Sequence, residues 1–200
     1  MLPASGRQRS AERPKPFLML EREVKLSFDS ADEARSAVAA SGATPLRSRR
    51  LQEDALFDTA DESLRRRRCV LRLRSDSGKS LLTFKGPPQQ DLMKVREEHE
   101  TVVADVEAVR RVFEELGLHV WFRYQKYREE YAAEDVTIAI DETPVGTFVE
   151  VEGGEAGVLA MTEALGRTPD DFILDSYRAL FIKHREACGL TGTDMVFSGE

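Results

Sequence analysis

The chain has 200 residues, with 29 lysines and arginines against 36 aspartates and glutamates and a formal net charge of −7. That length makes one large domain or two small ones, and the acidic balance argues against a general nucleic-acid binder, which is ordinarily basic. The two cysteines, Cys69 and Cys188, and three scattered histidines, His99, His119 and His184, fit no zinc spacing, and no apolar run approaches the roughly 20 residues of a membrane span.

Widely separated thiols read as reduced, and the Arg/Ser/Pro-rich N-terminus lacks the apolar core of a secretion signal, so a cytoplasmic protein is expected. Residues 1–16 are polar and carry Pro14 and Pro16, which predicts a disordered tail. A first strand is predicted over Phe17–Phe28. On it Glu21, Glu23 and Lys25 share one face, with Leu20, Val24, Leu26 and Phe28 on the other. Ser30 and Glu33 have the spacing of a capping box, opening an Ala-rich helix that runs to about Ser41, with Gly42 beyond it.

Arg49–Asp58 reads as a strand with Gln52, Asp54, Leu56 and Asp58 on one parity, followed by a loop at Thr59–Ser63. Leu64–Arg74 reads as the next strand. It begins with the basic run Arg65–Arg68, read as a solvated loop-like stretch, and ends with Arg72 and Arg74 on one face. A turn at Asp76–Lys79 returns the chain as Ser80–Lys85, which Gly86-Pro87-Pro88 ends. Met93–Val103 is a strand with Lys94, Arg96, Glu98 and Glu100 together; His99 has the opposite parity.

Asp105 caps a helix over Val106–Leu116, apolar at Val106, Val109, Val112, Phe113 and Leu116. Strands follow at Val120–Tyr131, Val136–Asp141 and Phe148–Gly153. The first carries Lys126 and Arg128, the second Asp141, and the third Glu150 and Glu152. Helices are predicted over Glu155–Leu165 and Tyr177–Ala187, the latter capped by Ser176. In the tail Leu190–Glu200, Met195, Val196 and Phe197 are apolar enough to fold back onto the domain. No linker is visible, so residues 17–189 read as one domain.

The polar parity of these strands is almost entirely charged, with few short polar residues to dilute it. If the strands curl into a barrel, the apolar parity packs outward against helices and the charged parity lines a wet interior. Such a lining suits a chain of phosphates. Arginines offer forked donors, and carboxylates hold Mg²⁺ or Mn²⁺, which in turn binds phosphate oxygens.

Seven segments in order resemble the CYTH family, the triphosphate tunnel metalloenzymes. They are E-R-E-V-K at Glu21–Lys25, L-R-L-R at Leu71–Arg74, T-F-K-G-P at Thr83–Pro87, R-E-E-H-E at Arg96–Glu100, K-Y-R at Lys126–Arg128, I-D at Ile140–Asp141 and V-E-V-E at Val149–Glu152. The resemblance runs from about Phe17 to Ile182. It implies an α+β fold, an eight-stranded antiparallel closed barrel with a charged tunnel inside and helices outside.

By the same resemblance Glu21, Glu23 and Glu152 ligate a catalytic Mg²⁺ or Mn²⁺, with Lys25 beside them in the catalytic group. Glu150 and Asp141 complete the acidic floor, where a second metal is left open. Lys25, Arg72, Arg74, Lys85, Lys126 and Arg128 hold the triphosphate, and Glu98, Arg96 and Tyr177 support them. The implied activity is metal-dependent hydrolysis of inorganic triphosphate or a small organic triphosphate such as thiamine triphosphate. The alternative is cyclisation of ATP to cyclic AMP and pyrophosphate. A polyphosphate or nucleotide binder without turnover would gain nothing from so many carboxylates, and processing of RNA 5′ ends would use Arg65–Arg68. The expected partner is a small triphosphate rather than a membrane or nucleic acid, and the chain is read as a monomer or homodimer. Two features depart from the family pattern. Arg65–Arg68 and Cys69 stand where a small residue often precedes L-R-L-R, and Arg123 adds a cation before K-Y-R.

Overall fold

The computed structural model describes residues 19–198, so the predicted tail 1–16 and the start of the first strand lie outside the described residues. Eight strands are present: β1 (Met19–Phe28), β2 (Thr44–Thr59), β3 (Val70–Asp76), β4 (Lys79–Lys85), β5 (Lys94–Val103), β6 (Leu118–Ala133), β7 (Val136–Thr143) and β8 (Gly146–Gly153). They pair antiparallel and close into a barrel in the order β1-β5-β4-β3-β2-β6-β7-β8. Closure leaves no sheet edge, so each strand finds its hydrogen bonds inside the domain. Five helices flank it: α1 (Ala31–Ala40), α2 (Ser63–Arg66), α3 (Val106–Glu115), α4 (Glu155–Ala164) and α5 (Tyr177–Cys188). No described helix is long and apolar enough to cross a membrane.

The apolar parity faces outward, as the alternation requires. Val24, Leu26, Ile138, Ile140, Val149 and Val151 are fully buried beneath α1 and α4, which contribute Ala34, Val38, Val158 and Met161. A second layer lies under α3, where Phe113 meets Phe57 edge-on at 5.0 Å beside Ala55 and Leu73. The helix caps follow the sequence. Ser30, Asp105 and Ser176 each accept a hydrogen bond from the backbone N–H three residues on, which satisfies a donor the helix itself leaves unpaired.

The barrel also depends on close backbone approach at the β7–β8 seam. A Cβ on Gly153 would lie 2.6 Å from the Asp135 carbonyl oxygen and 2.8 Å from a Val136 methyl. Gly153→Ala is therefore expected to cost about 1–3 kcal/mol, read as a lower midpoint in urea without change of slope.

Two predictions about local structure change. The strand expected over Leu64–Arg74 begins only at Val70. Its first residues form α2, because the buried carboxylate of Asp58 accepts backbone N–H bonds from Leu64 and Arg65 at 2.9 and 3.0 Å. Asp58 is thus a helix anchor reached across a loop. The second strand begins at Thr44 rather than Arg49, since Thr44–Arg50 pair with the far end of β6. Pro45 and the exposed arginines of that stretch hide the alternation from a sequence reader. The C-terminal segment does fold back. Met195 is buried and bridges to Tyr124, and Phe197 packs on Tyr127 at 5.2 Å.

Candidate active site

The first and last strands of the barrel are neighbours. In the β1–β8 ladder Glu23 faces Glu152 and Lys25 faces Glu150, which brings the two segments E-R-E-V-K and V-E-V-E to one wall. Directly opposed carboxylates repel unless something positive lies between them. Glu21 is 7% exposed; Lys85 Nζ reaches one of its oxygens at 2.5 Å, and the other, Oε2, is buried with no partner among the described residues. Burial, with Glu23 adding to it, pushes the Glu21 carboxyl up to about 8. Glu152 contacts the cavity, and desolvation with nearby Glu23 raises it to about 6. Glu23 behaves differently: against the cost of burial, the Lys94 ammonium in contact with it holds it well below the usual range.

The adjoining part of the barrel, from β8 to β7 and β6, is organised by Asp141, which is 0% exposed. Its two oxygens accept from Lys126 Nζ at 2.8 Å, from Arg128 Nε at 2.7 Å and from the Tyr177 hydroxyl at 2.6 Å. Glu150 accepts from Arg128 and pairs with Lys25 at 2.9 Å. Both ammonium groups, Lys25 and Lys126, also lie over the Tyr177 ring at 4.8 and 4.9 Å. Burial and the adjacent Arg128 guanidinium push Lys126 down to about 8. Burial alone would lower Lys25 too, but Glu150 and Glu23 raise it. Asp141 and Glu150, read from sequence as part of the metal floor, thus have their oxygens engaged in aiming cations at the cavity.

A third cluster completes the lining. Arg74 Nε donates to Asp54 at 2.9 Å, and Arg72 donates to Thr83 Oγ1 at 3.0 Å, which itself donates to Glu100 at 2.8 Å. Lys85 bridges Glu21 and Glu98, the latter at 2.9 Å. Asp54, Thr83 and Lys94 were not among the site residues predicted from sequence. Each lies on the charged parity of its strand, so register was the signal that could have found them. Away from the cavity, Arg50 and Gln52 both bind Asp76, at 2.7 Å each, and Arg50 also binds Glu130. His99 lies outside this set, on the surface beside Glu97, as its parity predicts.

The acids and cations of these clusters, with Asp54, Thr83 and Asp141 behind them, line one cavity of about 870 Å³. Inside the barrel the lining is not uniformly charged. Leu56, Phe122, Tyr124 and Phe148 also have the inward parity, and α5 packs Tyr177 and Phe181 against them. The helix covers that end of the barrel and delivers Tyr177 to Asp141. Arg65 of α2 and Arg68 just beyond it line the cavity with Trp121 and Arg178, so the basic run borders the site rather than forming a wholly solvated loop.

The donor set can be tested against a divalent cation. No three Asp, Glu, His or Cys side chains among the described residues converge as a ready-made metal cage. Even so, Glu21 keeps a buried unpartnered oxygen, Glu152 has only charge–charge neighbours, and both carboxyls are raised by desolvation and by Glu23 despite Lys85 nearby. Hard oxygen donors short of counter-charge fit Mg²⁺ or Mn²⁺.

A closed eight-stranded antiparallel tunnel, charged inside and jacketed by helices, defines the structural class. The family model of the CYTH domain matches residues 19–158, and the chain belongs to that family. It is 29% identical over 173 residues to a Methanocaldococcus jannaschii protein named "putative adenylate cyclase", covering 81% of this chain and 98% of that one. A similarly named protein of Vibrio parahaemolyticus shares the fold with a TM-score of 0.70 at 19% identity, over 82% of this chain and 98% of that one. A Hippeastrum protein described as a putative adenylyl cyclase with a dominant triphosphatase activity aligns with a TM-score of 0.58 at 20% identity, over 82% and 95% of the two chains.

Proposed function

We propose that this chain is a divalent-metal-dependent hydrolase that cleaves the terminal phosphoanhydride of inorganic triphosphate or a small organic triphosphate. The observation that carries this reading is the division of one cavity into a carboxylate cluster, Glu21, Glu23 and Glu152, in which Glu21 keeps an unpartnered oxygen and Glu152 has no ion pair among the described residues, and a set of aimed cations. Glu21, Glu23 and Glu152 would hold the metal. When bound, it supplies Lewis-acid polarisation of a phosphoryl oxygen.

The chain's own groups do the rest. Lys25, Lys126 and Arg128 neutralise and orient phosphate oxygens, and Asp141, Glu150 and Tyr177 keep those cations in place before the substrate arrives. Arg72, Arg74 and Lys85 grip the chain from β3 and β4. A pre-aimed lining of this kind stabilises transferring phosphoryl charge without reorganising during the reaction. Glu152 lines the same cavity and would be the carboxylate beside an attacking water.

A second reading, cyclisation of ATP, is favoured by two things: the names of the relatives, and the apolar surface that Leu56, Val70, Trp121 and Leu174 add to the cavity, which could receive a base. Incubation with inorganic triphosphate, thiamine triphosphate and ATP in Mg²⁺ or Mn²⁺, with every product identified, separates the two. Hydrolysis is expected to give orthophosphate with diphosphate, thiamine diphosphate or ADP. Cyclic AMP and pyrophosphate as the only products from ATP, with inorganic triphosphate left intact, would replace hydrolysis by cyclisation.

A further inference from the structure

The cations deep in the tunnel are already matched to carboxylates. Lys25 has Glu150, Arg74 has Asp54, Lys126 and Arg128 have Asp141, and Lys85 and Lys94 have Glu21 and Glu23. Three arginines lining the same cavity, Arg68, Arg96 and Arg178, make no direct ion pair among the described residues. Arg96 stands opposite Glu21 in the β1–β5 ladder, with Glu23 and Glu98 as further charge neighbours, but it makes no direct ion pair among the described residues: it is 7% exposed, its Nε has no partner there, and it donates to the Arg68 carbonyl at 3.0 Å. Arg178 lies over the Trp121 ring at 4.8 Å, and Arg68 borders the same cavity; among the described residues neither forms an ion pair. Arg65, by contrast, stacks on Trp121 at 4.3 Å with its charge matched by Asp58 and Glu62.

A buried guanidinium with an orphaned donor is costly unless an anion meets it. Here it shares a cavity with two further unpaired guanidiniums and with the first turn of α5, whose N-terminal N–H groups and dipole also favour negative charge. Stacking on Trp121 holds Arg178 in place while leaving its N–H edge available. The hydrolytic reading gives Arg68 and Arg178 no role and Arg96 only a supporting one. The volume of about 870 Å³ lies near the upper end of the range of about 300–1,000 Å³ for small-molecule sites, leaving room beyond three phosphoryl groups.

We propose that Arg68, Arg96 and Arg178 form a further phosphate subsite at the tunnel mouth, which takes a fourth phosphoryl group and makes linear tetraphosphates preferred ligands over triphosphates. The inference rests on the reading of the tunnel as a triphosphate hydrolase and extends its substrate class. The terminal phosphoryl group occupies the inner site and the fourth lies at the mouth. Water oxygen bonds to the terminal phosphorus as the bond from that phosphorus to its bridging oxygen breaks. The products are orthophosphate and a triphosphate, and the water's proton leaves on the orthophosphate or to solvent. The fourth group can belong to inorganic tetraphosphate or to a nucleoside 5′-tetraphosphate, which share this chemistry.

The test has two readouts on the full chain. Metal-free calorimetric titration with inorganic triphosphate and inorganic tetraphosphate is expected to show the latter binding about tenfold more tightly, the scale of one or two charge-assisted hydrogen bonds. Steady-state hydrolysis in Mg²⁺ is expected to show the same order of preference in kcat/KM. Adenosine 5′-tetraphosphate is run beside inorganic tetraphosphate to tell which source fits.

Arg178→Gln and Arg68→Gln should each lower the tetraphosphate-to-triphosphate ratio about fivefold or more, and Arg178→Lys should restore part of it. Equal binding of tri- and tetraphosphate, or a ratio unmoved by these substitutions in variants that melt like the parent chain, overturns the subsite and leaves triphosphate hydrolysis standing. Preferential tetraphosphate binding with no turnover of either compound supports the subsite and removes the hydrolytic reading instead.

Discussion

Glu21→Gln is expected to lower triphosphate turnover by on the order of 10²–10³-fold while leaving the protein at least as stable as before. The substitution keeps the shape of the side chain and its contact with Lys85 but removes the charge a divalent cation would bind. Because burial and Glu23 raise the native carboxyl to about 8, ionising it costs the folded state free energy near neutral pH, and the amide relieves that cost. Activity and thermal midpoint should therefore move in opposite directions when both are measured at pH 8. Glu152→Gln should lower turnover alike, since Glu152 lies in the same wall, but with little change in thermal midpoint because its carboxyl is exposed to the cavity. Retention of more than a tenth of the parent rate by either variant would remove these carboxylates from the metal-binding role.

Asp141→Asn should do the reverse and act first on stability. Its carboxylate is the shared acceptor for Lys126, Arg128 and Tyr177, and it is fully buried. Removing one partner of a buried charge cluster strands the others, at a cost of about 3–5 kcal/mol, or a fall of roughly 6–20 °C in Tm for a chain of this size. Turnover should fall as well, because the two cations lose their aim.

The pH dependence has a definite sign. Burial would raise Asp141, but Arg128 and Lys126 outweigh it and hold the folded pKa below the ordinary 3.8. The stability it contributes is present above that ordinary value and is lost as pH falls through the lower folded one. An acid titration should therefore show a limb in the parent that is reduced in the asparagine variant. An unchanged thermal midpoint at pH 7 would mean that the three donors find other acceptors and that Asp141 is not the organising group.

The tetraphosphate preference adds a different kind of expectation, since it concerns substrate choice rather than the integrity of the lining. Arg178 makes the distinction accessible. It touches Trp121 at the rim and lies outside the Asp141 cluster, so its replacement leaves that hub intact.

Much of this architecture was legible in the chain itself. Strict alternation places Glu21, Glu23 and Lys25 on one face and Val24 and Leu26 on the other, and β geometry allows no other arrangement once the segment is extended. Seven such segments in order identified the family and its closed tunnel, and Ser30, Asp105 and Ser176 marked three helix starts by their capping chemistry.

Other features depend on contacts between residues far apart in sequence, which no local pattern encodes. The basic run Arg65–Arg68 has no intrinsic reason to enter a helix; Arg65 and Arg66 do so because Asp58, at the end of β2, accepts from the Leu64 and Arg65 backbone N–H groups of the short helix Ser63–Arg66. Asp141 was readable as an inward-facing acid, but its partners come from β6 and α5. Only closure of the sheet decided that its oxygens would hold cations. The Glu23–Glu152 pairing likewise joins two strands at opposite ends of the barrel domain's sequence. The sequence by itself determined which residues face the tunnel, because side-chain direction follows from strand period alone. The tertiary structure decided which inward charges neutralise one another and which stay unmatched, because that depends on register across the closed barrel and on where α5 covers its end.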